Sequence, residues 1–131
     1  MTNLNSDALV LFGATGDLAY KKIFPALQAL VRTGQFDAPV IGVALSGWNL
    51  ERLRARVRDS LKTHGVADDQ ACAKLCDLLR YVDGDYRAKT TFEQVGKALG
   101  GAQRPLHYLA IPPSMFPTVV EGLAALEGTH E

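Results

Sequence analysis

A short glycine-containing turn follows an apolar run near the start of the chain. The run is Ala8–Phe12, and the turn that follows it reads Gly13-Ala-Thr-Gly16. When such a turn leads into a helix, the free backbone amides at the helix start bind anions, and phosphate groups above all. Gly13 would let the backbone approach a pyrophosphate, and Gly16 would let the helix pack closely against the strand. The turn therefore predicts a phosphate-binding site, and a ligand-free strand-to-helix turn is the alternative.

The glycine pattern is shorter than the complete dinucleotide fingerprint. In the pattern G-x-G-x-x-G the first glycine would fall at Leu11. A bare G-x-x-G is a weak signal, and it gains weight here only because a strand before it and a helix after it are both readable in the sequence.

Strands and helices alternate along the chain, which is the arrangement that places such a turn at the end of a parallel sheet. The predicted strands are residues 8–12, 40–45, 79–83 and 106–111, and the predicted helices cover residues 17–33, 50–61, 68–79 and 90–99 and a last stretch that begins near Ser114. Pro25 predicts a kink or a break near Phe24 in the first helix. The alternation predicts a single-domain α/β fold, a Rossmann-like doubly wound parallel sheet with strand order 3-2-1-4.

Composition limits the class of protein without giving its function. The 131 residues are 47% hydrophobic, enough for one compact core, and 14 basic residues balance 14 acidic ones. A net charge of zero gives no general attraction to nucleic acid or to anionic membranes. The longest uninterrupted apolar run, Ala8–Phe12, is far shorter than the ~20 residues that span a bilayer. The sequence begins without a basic signal region, so we expect a soluble protein without a nucleic-acid or membrane partner.

Two cysteines and a row of arginines are the other chemically reactive groups. Cys72 and Cys76 would share one helix face, but no third and fourth ligand stands near them, so we expect buried free thiols and no metal site. Arginines recur at every second position from 52 to 58 and fall on both flanks of an apolar helix face, which favours a solvated surface.

Three motifs in order resemble the N-terminal part of glucose-6-phosphate dehydrogenases. The first is Gly13–Ala19, continued by Lys21-Lys-Ile-Phe-Pro-Ala-Leu27, the second is Gly84-Asp-Tyr86, and the third is Tyr108-Leu-Ala-Ile-Pro-Pro-Ser-Met-Phe116. The resemblance runs from about Leu9 to the end of the chain. It implies that residues 1–131 are the NADP-binding domain of an enzyme that oxidises glucose 6-phosphate to 6-phosphogluconolactone, the first step of the pentose phosphate pathway. The complete enzyme is expected to be a cytoplasmic homo-oligomer.

The resemblance also implies roles for individual residues. Gly13–Ala19 would surround the cofactor pyrophosphate, Asp85 and Tyr86 would lie beside the adenosine half, and a double proline would wall the nicotinamide half. The residues implied for the cofactor are Gly13, Ala14, Thr15, Gly16, Asp17, Leu18, Ala19, Leu45, Ser46, Asp85, Tyr86, Pro112, Pro113 and Phe116. Lys22 matches a lysine that faces the substrate, although a lysine in the first turns of a helix is by default a solvated surface residue. The double proline is compatible with a cis peptide bond.

One departure from the family pattern concerns the cofactor. The second strand of this family usually ends Gly-x-Ala-Arg-Ser, whereas this chain reads Gly42-Val-Ala-Leu-Ser46. The arginine would pair with the 2′-phosphate of NADP, and Leu45 cannot. The sequence also shows no acidic residue where an NAD site places one on the ribose. Use of NAD, or of both cofactors, therefore stays open, with Ser46, Trp48 or Arg52 as substitutes for the arginine.

A second departure concerns catalysis. The family's catalytic histidine and aspartate belong to a motif beyond the fourth strand and its helix, and His64, His107 and His130 lack the neighbours of such a motif. We therefore expect a cofactor-binding fragment of a longer enzyme, without its substrate-binding α+β domain and without turnover of its own. The alternatives are a non-catalytic NAD(P)-binding sensor or interaction module, and a degenerate domain that binds nothing.

Overall fold

A four-stranded parallel sheet forms the centre of the protein. The computed structural model describes residues 7–128, so residues 1–6 and 129–131, with His130 among them, lie outside the described residues. The strands are β1 (Ala8–Phe12), β2 (Val40–Ala44), β3 (Leu79–Asp83) and β4 (Pro105–Leu109), and their order in the sheet is β3-β2-β1-β4. Neighbouring strands pair in parallel. The predicted fold class and strand order are confirmed.

Helices connect the strands and cover both faces of the sheet. A π-helical turn, Ala19–Ile23, leads into α1 (Phe24–Arg32), and the later helices are α2 (Leu50–His64), α3 (Asp69–Leu78), α4 (Lys89–Leu99) and α5 (Phe116–Gly128), the last preceded by a 3₁₀ turn, Pro113–Met115. Ser114 lies inside that turn and does not open the last helix.

The first helix changes its geometry where Pro25 predicts a kink or a break. Regular α-helix begins at Phe24, with Pro25 in its first turn, but Leu18, Ile23 and Phe24 all keep right-handed helical dihedrals, so the π-helical turn continues into α1 without a break. The residues before it form the wider π-helical turn, a local device found often at functional sites. The side chain of Phe24 is completely buried and anchors the junction of the π-helical turn and α1 in the core.

The core has two layers, one on each side of the sheet. All five residues of β1 and all five of β2 are buried, as expected for strands covered on both faces. On one face Leu11 packs with α1, α2 and α3, and on the other Phe12 packs with α4 and α5. The carboxyl ends of β1 and β2, from which the predicted site begins, are therefore held by packing on both sides.

β4 is a half-exposed edge strand. It ends at Leu109, two residues before the predicted end, and among the described strands it pairs only with β1. Leu106 and Tyr108 remain 40% and 42% exposed on the face that α1 covers elsewhere. Within residues 7–128, none of the helices has the length and hydropathy that a membrane span requires.

Candidate functional site

The turn after β1 is fixed by close contact with the end of β4. Gly13 has a φ of +83°, in the left-handed region that favours glycine. A Cβ atom at this position would lie 2.1 Å from the carbonyl oxygen of Ala110. The amide of Ala110 in turn donates a hydrogen bond to the carbonyl of Phe12, at 2.9 Å. Glycine at position 13 therefore serves the packing of β4 against the turn, and the space beside it is filled by the protein.

Tyr86 joins the turn to the ends of two strands. The amide of Gly13 lies 2.9 Å from the Tyr86 hydroxyl and 2.9 Å from the carbonyl oxygen of Val43, and it donates to both. The hydroxyl of Tyr86 donates to the same Val43 carbonyl, at 3.1 Å. Burial raises the pKa of Tyr86, which keeps this phenol protonated. Tyr86 thus acts as a brace for the turn, and its ring packs edge-on against Phe12.

The amides that are available to an anion lie further along the turn. The amide of Ala14 bonds to the Val43 carbonyl at 3.3 Å, and that of Gly16 bonds to the Gly13 carbonyl at 3.1 Å. In the described part of the chain, the amides of Thr15, Asp17 and Leu18 have no backbone acceptor. The set of groups that can bind phosphate is therefore centred on residues 15–18 and not on Gly13.

Gly16 is not required by the packing of the helix. A Cβ atom there would meet only the carbonyl oxygen of Gly13, at 3.4 Å, which is ordinary contact. The close approach between turn and sheet occurs at Gly42 of β2, where a Cβ atom would lie 2.9 Å from the side chains of Ala14 and Leu53. Ala14 and Ala19 are fully buried and contribute packing.

The loop after β2 is held by a carboxylate from the neighbouring strand. Asp83 ends β3 and pairs in register with Ala44. Its Oδ1 atom accepts hydrogen bonds from the amides of Ser46 and Gly47, both at 3.0 Å, and from the hydroxyl of Tyr81 at 2.5 Å. Partial burial raises the pKa of Asp83, but the hydrogen bonds from Tyr81 and the loop amides outweigh it and hold the pKa below its usual value. Asp83 is therefore an anion at this site.

Asp83 is a candidate site residue that the sequence analysis missed. No acidic residue stands at the end of β2 itself, where the chain continues with Leu45, 64% exposed, and Ser46. The carboxylate comes from β3, and only the pairing of the two strands brings it there. The hydroxyl of Ser46 also lies 2.8 Å from that of Thr15, which joins the loop after β2 to the candidate phosphate turn, residues 13–18.

Two arginines of α2 lie near the same end of the sheet. The guanidinium of Arg52 lies 4.6 Å from the centre of the Trp48 ring, and its amide is capped by Asn49. The guanidinium of Arg56 lies 4.1 Å from the centre of the Tyr20 ring and 3.8 Å from the carboxylate of Asp17, which is well exposed. Arg56 is therefore engaged at the helix start, whereas the exposed Arg52 has only an aromatic contact.

The remaining predicted site residues occupy the same end of the sheet without forming one cluster. Lys22 is exposed on the π-helical turn. Asp85 accepts a hydrogen bond from the amide of Arg87, which lowers its pKa. Pro112 and Pro113 are exposed after β4, Phe116 is 38% exposed, and none of the described peptide bonds is cis. At this edge, hydrogen bonds join three pairs of predicted residues: Gly13 with Tyr86, Thr15 with Ser46, and Gly16 with Gly13 within the turn.

A cavity of about 580 Å³ opens beside Tyr86, between the start of α4 and α5. Its lining mixes charged and apolar side chains: Tyr86, Arg87, Ala88, Lys89, Phe92, Glu93, Thr118, Glu121, Gly122 and Ala125. None of residues 13–18 lines this cavity, so it is separate from the amides of residues 15–18.

The thiols are placed for packing. Cys76 is buried and Cys72 is partly buried, and both are free. Burial, reinforced by the neighbouring Cys72, raises the pKa of Cys76 to about 11. Among the described residues, no three His, Cys, Asp or Glu side chains come together as metal ligands would.

Comparison with known proteins gives one consistent result. Residues 10–131 match the family described as glucose-6-phosphate dehydrogenase, NAD binding domain. Glucose-6-phosphate 1-dehydrogenase 1 of Mycobacterium bovis is 39% identical over 119 residues, which are 91% of this chain and 26% of the relative. The yeast enzyme, from Saccharomyces cerevisiae, is 37% identical over 123 residues, 85% of this chain and 24% of that protein.

Solved structures agree with the sequence relatives. The crystal structure of glucose-6-phosphate 1-dehydrogenase from Mycobacterium avium superposes with a TM-score of 0.87 at 39% identity, over 93% of this chain and 27% of that one. A glucose-6-phosphate dehydrogenase in complex with its substrate superposes with a TM-score of 0.78 at 31% identity, over 94% and 28% of the two chains. The chain spans about a quarter of the length of these relatives. With its parallel sheet and its turn at the end of β1, it belongs to the glucose-6-phosphate dehydrogenase family, of which it carries the N-terminal nicotinamide-dinucleotide-binding region.

Proposed function

We propose that this chain binds a nicotinamide dinucleotide at the carboxyl ends of β1 and β2, as the cofactor-binding part of a glucose-6-phosphate dehydrogenase. The observation that carries the proposal is the set of unpartnered amides at Thr15, Asp17 and Leu18, beside the switch point between β1 and β4. Orphan amides at a helix start fit the oxygens of a pyrophosphate. They supply positive potential without a surplus of Lys or Arg, in keeping with the zero net charge.

In the complete enzyme the reaction oxidises glucose 6-phosphate to 6-phosphogluconolactone. A bound nicotinamide dinucleotide would supply the hydride acceptor for this oxidation. Residues 15–18 bind the pyrophosphate, Asp85 and Tyr86 lie toward the adenosine, and Pro112, Pro113 and Phe116 form the wall on the nicotinamide side. Lys22 reaches from the π-helical turn toward the substrate. Such an enzyme acts in the cytoplasm as a homo-oligomer, as the Arabidopsis thaliana relatives named as cytoplasmic suggest for its location.

This chain alone binds the cofactor without turning over the substrate. Its described histidines, His64 and His107, lie in α2 and in β4, where His107 packs beside Phe12. Neither lies on a loop beside the phosphate turn. Steady oxidation of glucose 6-phosphate by residues 1–131, measured as NADPH or NADH formation, would overturn this part of the proposal.

Calorimetric titration with NAD and with NADP tests the binding site. The informative variant is Gly16→Val, because its Cβ meets nothing closer than 3.4 Å and its side chain would stand among the free amides. The matched control is Gly101→Val, in the loop between α4 and β4, where a Cβ meets nothing within 4 Å. We expect binding by the wild type and the control, and a loss of at least about tenfold in affinity for Gly16→Val.

A valine at position 16 reports on nucleotide binding, whereas a valine at position 13 would also disturb the fold. Gly13→Val is unsuitable as a probe, because a side chain there would collide with the Ala110 carbonyl and disturb the sheet. Undiminished binding by a folded Gly16→Val protein would show that the pyrophosphate lies elsewhere. Failure of the wild type to bind either nucleotide would refute the proposed function.

A further inference from the structure

The loop after β2 already contains an anion of its own. The carboxylate of Asp83 occupies the inside of this loop and takes the amides of Ser46 and Gly47 at 3.0 Å. In a doubly wound sheet, the loop after the second strand is the place where the adenosine ribose of a dinucleotide is read. The amides that would otherwise be available to a 2′-phosphate at this place are engaged by Asp83.

The charges at this place disfavour a second anion. A carboxylate at the end of β3 repels a phosphate bound at the adjacent strand end, and this like-charge repulsion disfavours a 2′-phosphate there. Leu45 supplies no cation to offset the repulsion. Tyr81 adds a further hydrogen bond to the same Oδ1 atom and so fixes the carboxylate in position.

The second oxygen of the same carboxylate remains open. The three donors from Ser46, Gly47 and Tyr81 all meet Oδ1, and no hydrogen bond between the described residues meets Oδ2 of Asp83. The amide of Trp48 also faces the carboxylate and adds to the lowering of its pKa, without completing a fourth hydrogen bond. Asp83 is an exposed residue, which leaves its carboxylate open to a ligand. A carboxylate oxygen can only accept hydrogen bonds, and a ribose hydroxyl donates one whereas a phosphate dianion does not.

We propose that Asp83 selects NAD over NADP: its Oδ2 atom accepts a hydrogen bond from the ribose 2′-hydroxyl, and its charge repels a 2′-phosphate. This inference rests on the proposed function, since it concerns the same cofactor site. In an NAD site the acidic residue that contacts the ribose usually follows β2, whereas here Asp83 at the end of β3 takes that role. A site of this kind needs no arginine for a 2′-phosphate, which explains why Leu45 is tolerated.

Arg52 is the residue that could reverse this preference. It is exposed at the start of α2, and its guanidinium stacks on Trp48. Arginine binds phosphate bidentately, so Arg52 would have to leave the ring and turn toward the ribose to hold a 2′-phosphate. The proposal predicts that it does not, and the Arg52→Gln variant reports on this directly.

The test compares dissociation constants for NAD and NADP, measured by calorimetry at one salt concentration, for the 131-residue chain and its variants. We expect the wild type to bind NAD at least about tenfold more tightly than NADP. Asp83→Asn keeps a carbonyl oxygen for the loop amides and removes the charge, and it should shift the ratio by about tenfold toward NADP. Asp37→Asn removes an exposed carboxylate before β2, at the opposite end of that strand, and should leave the ratio unchanged.

The outcomes separate this inference from the proposed function. Tighter binding of NADP than of NAD by the wild type overturns the role of Asp83 and leaves the dinucleotide site intact. A ratio that is unchanged in folded Asp83→Asn, or an NADP preference that disappears in Arg52→Gln, overturns it as well. Absence of binding for both nucleotides overturns the proposed function itself. A wild-type preference for NADP overturns the inference even if Asp83→Asn does not fold, and Asp83→Ser then supplies a second uncharged variant, expected to shift the ratio toward NADP in the same direction.

Discussion

Replacement of Gly13 by alanine distinguishes packing from ligand approach as the reason for this glycine. A Cβ atom would lie 2.1 Å from the Ala110 oxygen and 2.8 Å from its carbonyl carbon. Both are backbone atoms, and Ala110 is held by its hydrogen bond to Phe12, so neither moves as the tip of a side chain would. Alanine would also have to adopt a φ of +83°. The substitution therefore strains the junction of β1 and β4.

The expected loss of stability is large compared with that of an ordinary surface change. The left-handed backbone costs roughly 1–2 kcal/mol for a non-glycine residue. Forcing an extra atom into a filled space costs about 1–3 kcal/mol more. The free energy of unfolding should therefore fall by about 2–5 kcal/mol, a substantial part of the ~5–15 kcal/mol typical of domains.

Urea denaturation of three alanine variants, followed by far-UV circular dichroism, measures this loss. Gly16→Ala should lie within about 1 kcal/mol of the wild type, because its Cβ makes an ordinary contact at 3.4 Å and alanine restricts the unfolded chain. Gly101→Ala is the control, because a Cβ atom at position 101 meets no other atom within 4 Å. It measures the effect on stability of replacing a glycine without any steric contact. If Gly13→Ala unfolds at the wild-type urea concentration while losing nucleotide affinity, the packing argument is wrong and ligand approach is the reason for the glycine.

Two further predictions concern titratable groups. Hydrogen bonds from the amides of Gln103 and Arg104 lower the pKa of Asp7, so its stabilising effect is complete above its unfolded pKa of about 4 and is lost as the pH falls through the lower folded value. The Asp7→Asn variant should therefore lose less stability than the wild type as the pH falls from neutral, as urea titrations at each pH would show. An identical pH dependence in both proteins would show that Asp7 does not contribute to the acid response. Because burial raises the pKa of Cys76 to about 11, a thiol reagent applied at pH 8 should label Cys72 first, as mass spectrometry of the modified protein would show, and preferential labelling of Cys76 would contradict its burial.

The sheet and its connections were predictable because their signals are local. The all-apolar segments of β1 and β2 predicted strands covered on both faces, and both are buried along their whole length. Pro25 predicted a kink or a break near Phe24, and the helix changes there from π-helical to α-helical geometry, because the proline ring conflicts with the turn before it. The end of β4 was placed two residues too far on, because the apolar run continues through Ala110 and Ile111 after pairing has ceased.

The internal arrangement of the phosphate turn was harder to predict. Its position in the chain followed from the glycines, but the partners of each amide did not. The amide of Gly13 is used by Val43 and Tyr86, residues that are 30 and 73 positions away in the sequence. Such contacts depend on which strands become neighbours, and the spacing of residues along one segment carries no information about them.

Leu45 and Asp83 show how the same limit affects the choice of cofactor. The missing arginine is visible in the sequence because its offset from Gly42 within one strand is fixed. The carboxylate that replaces its influence comes from the next strand, at a position set by the parallel register of Ala44 with Asp83. Only the fold brings the two positions together. The end of β2 read alone indicates a damaged NADP site, whereas the paired ends of β2 and β3 form a site whose charge and free acceptor suit a ribose hydroxyl. The proposed preference for NAD thus rests on two adjacent strand ends, and a single substitution at either one should be enough to alter it.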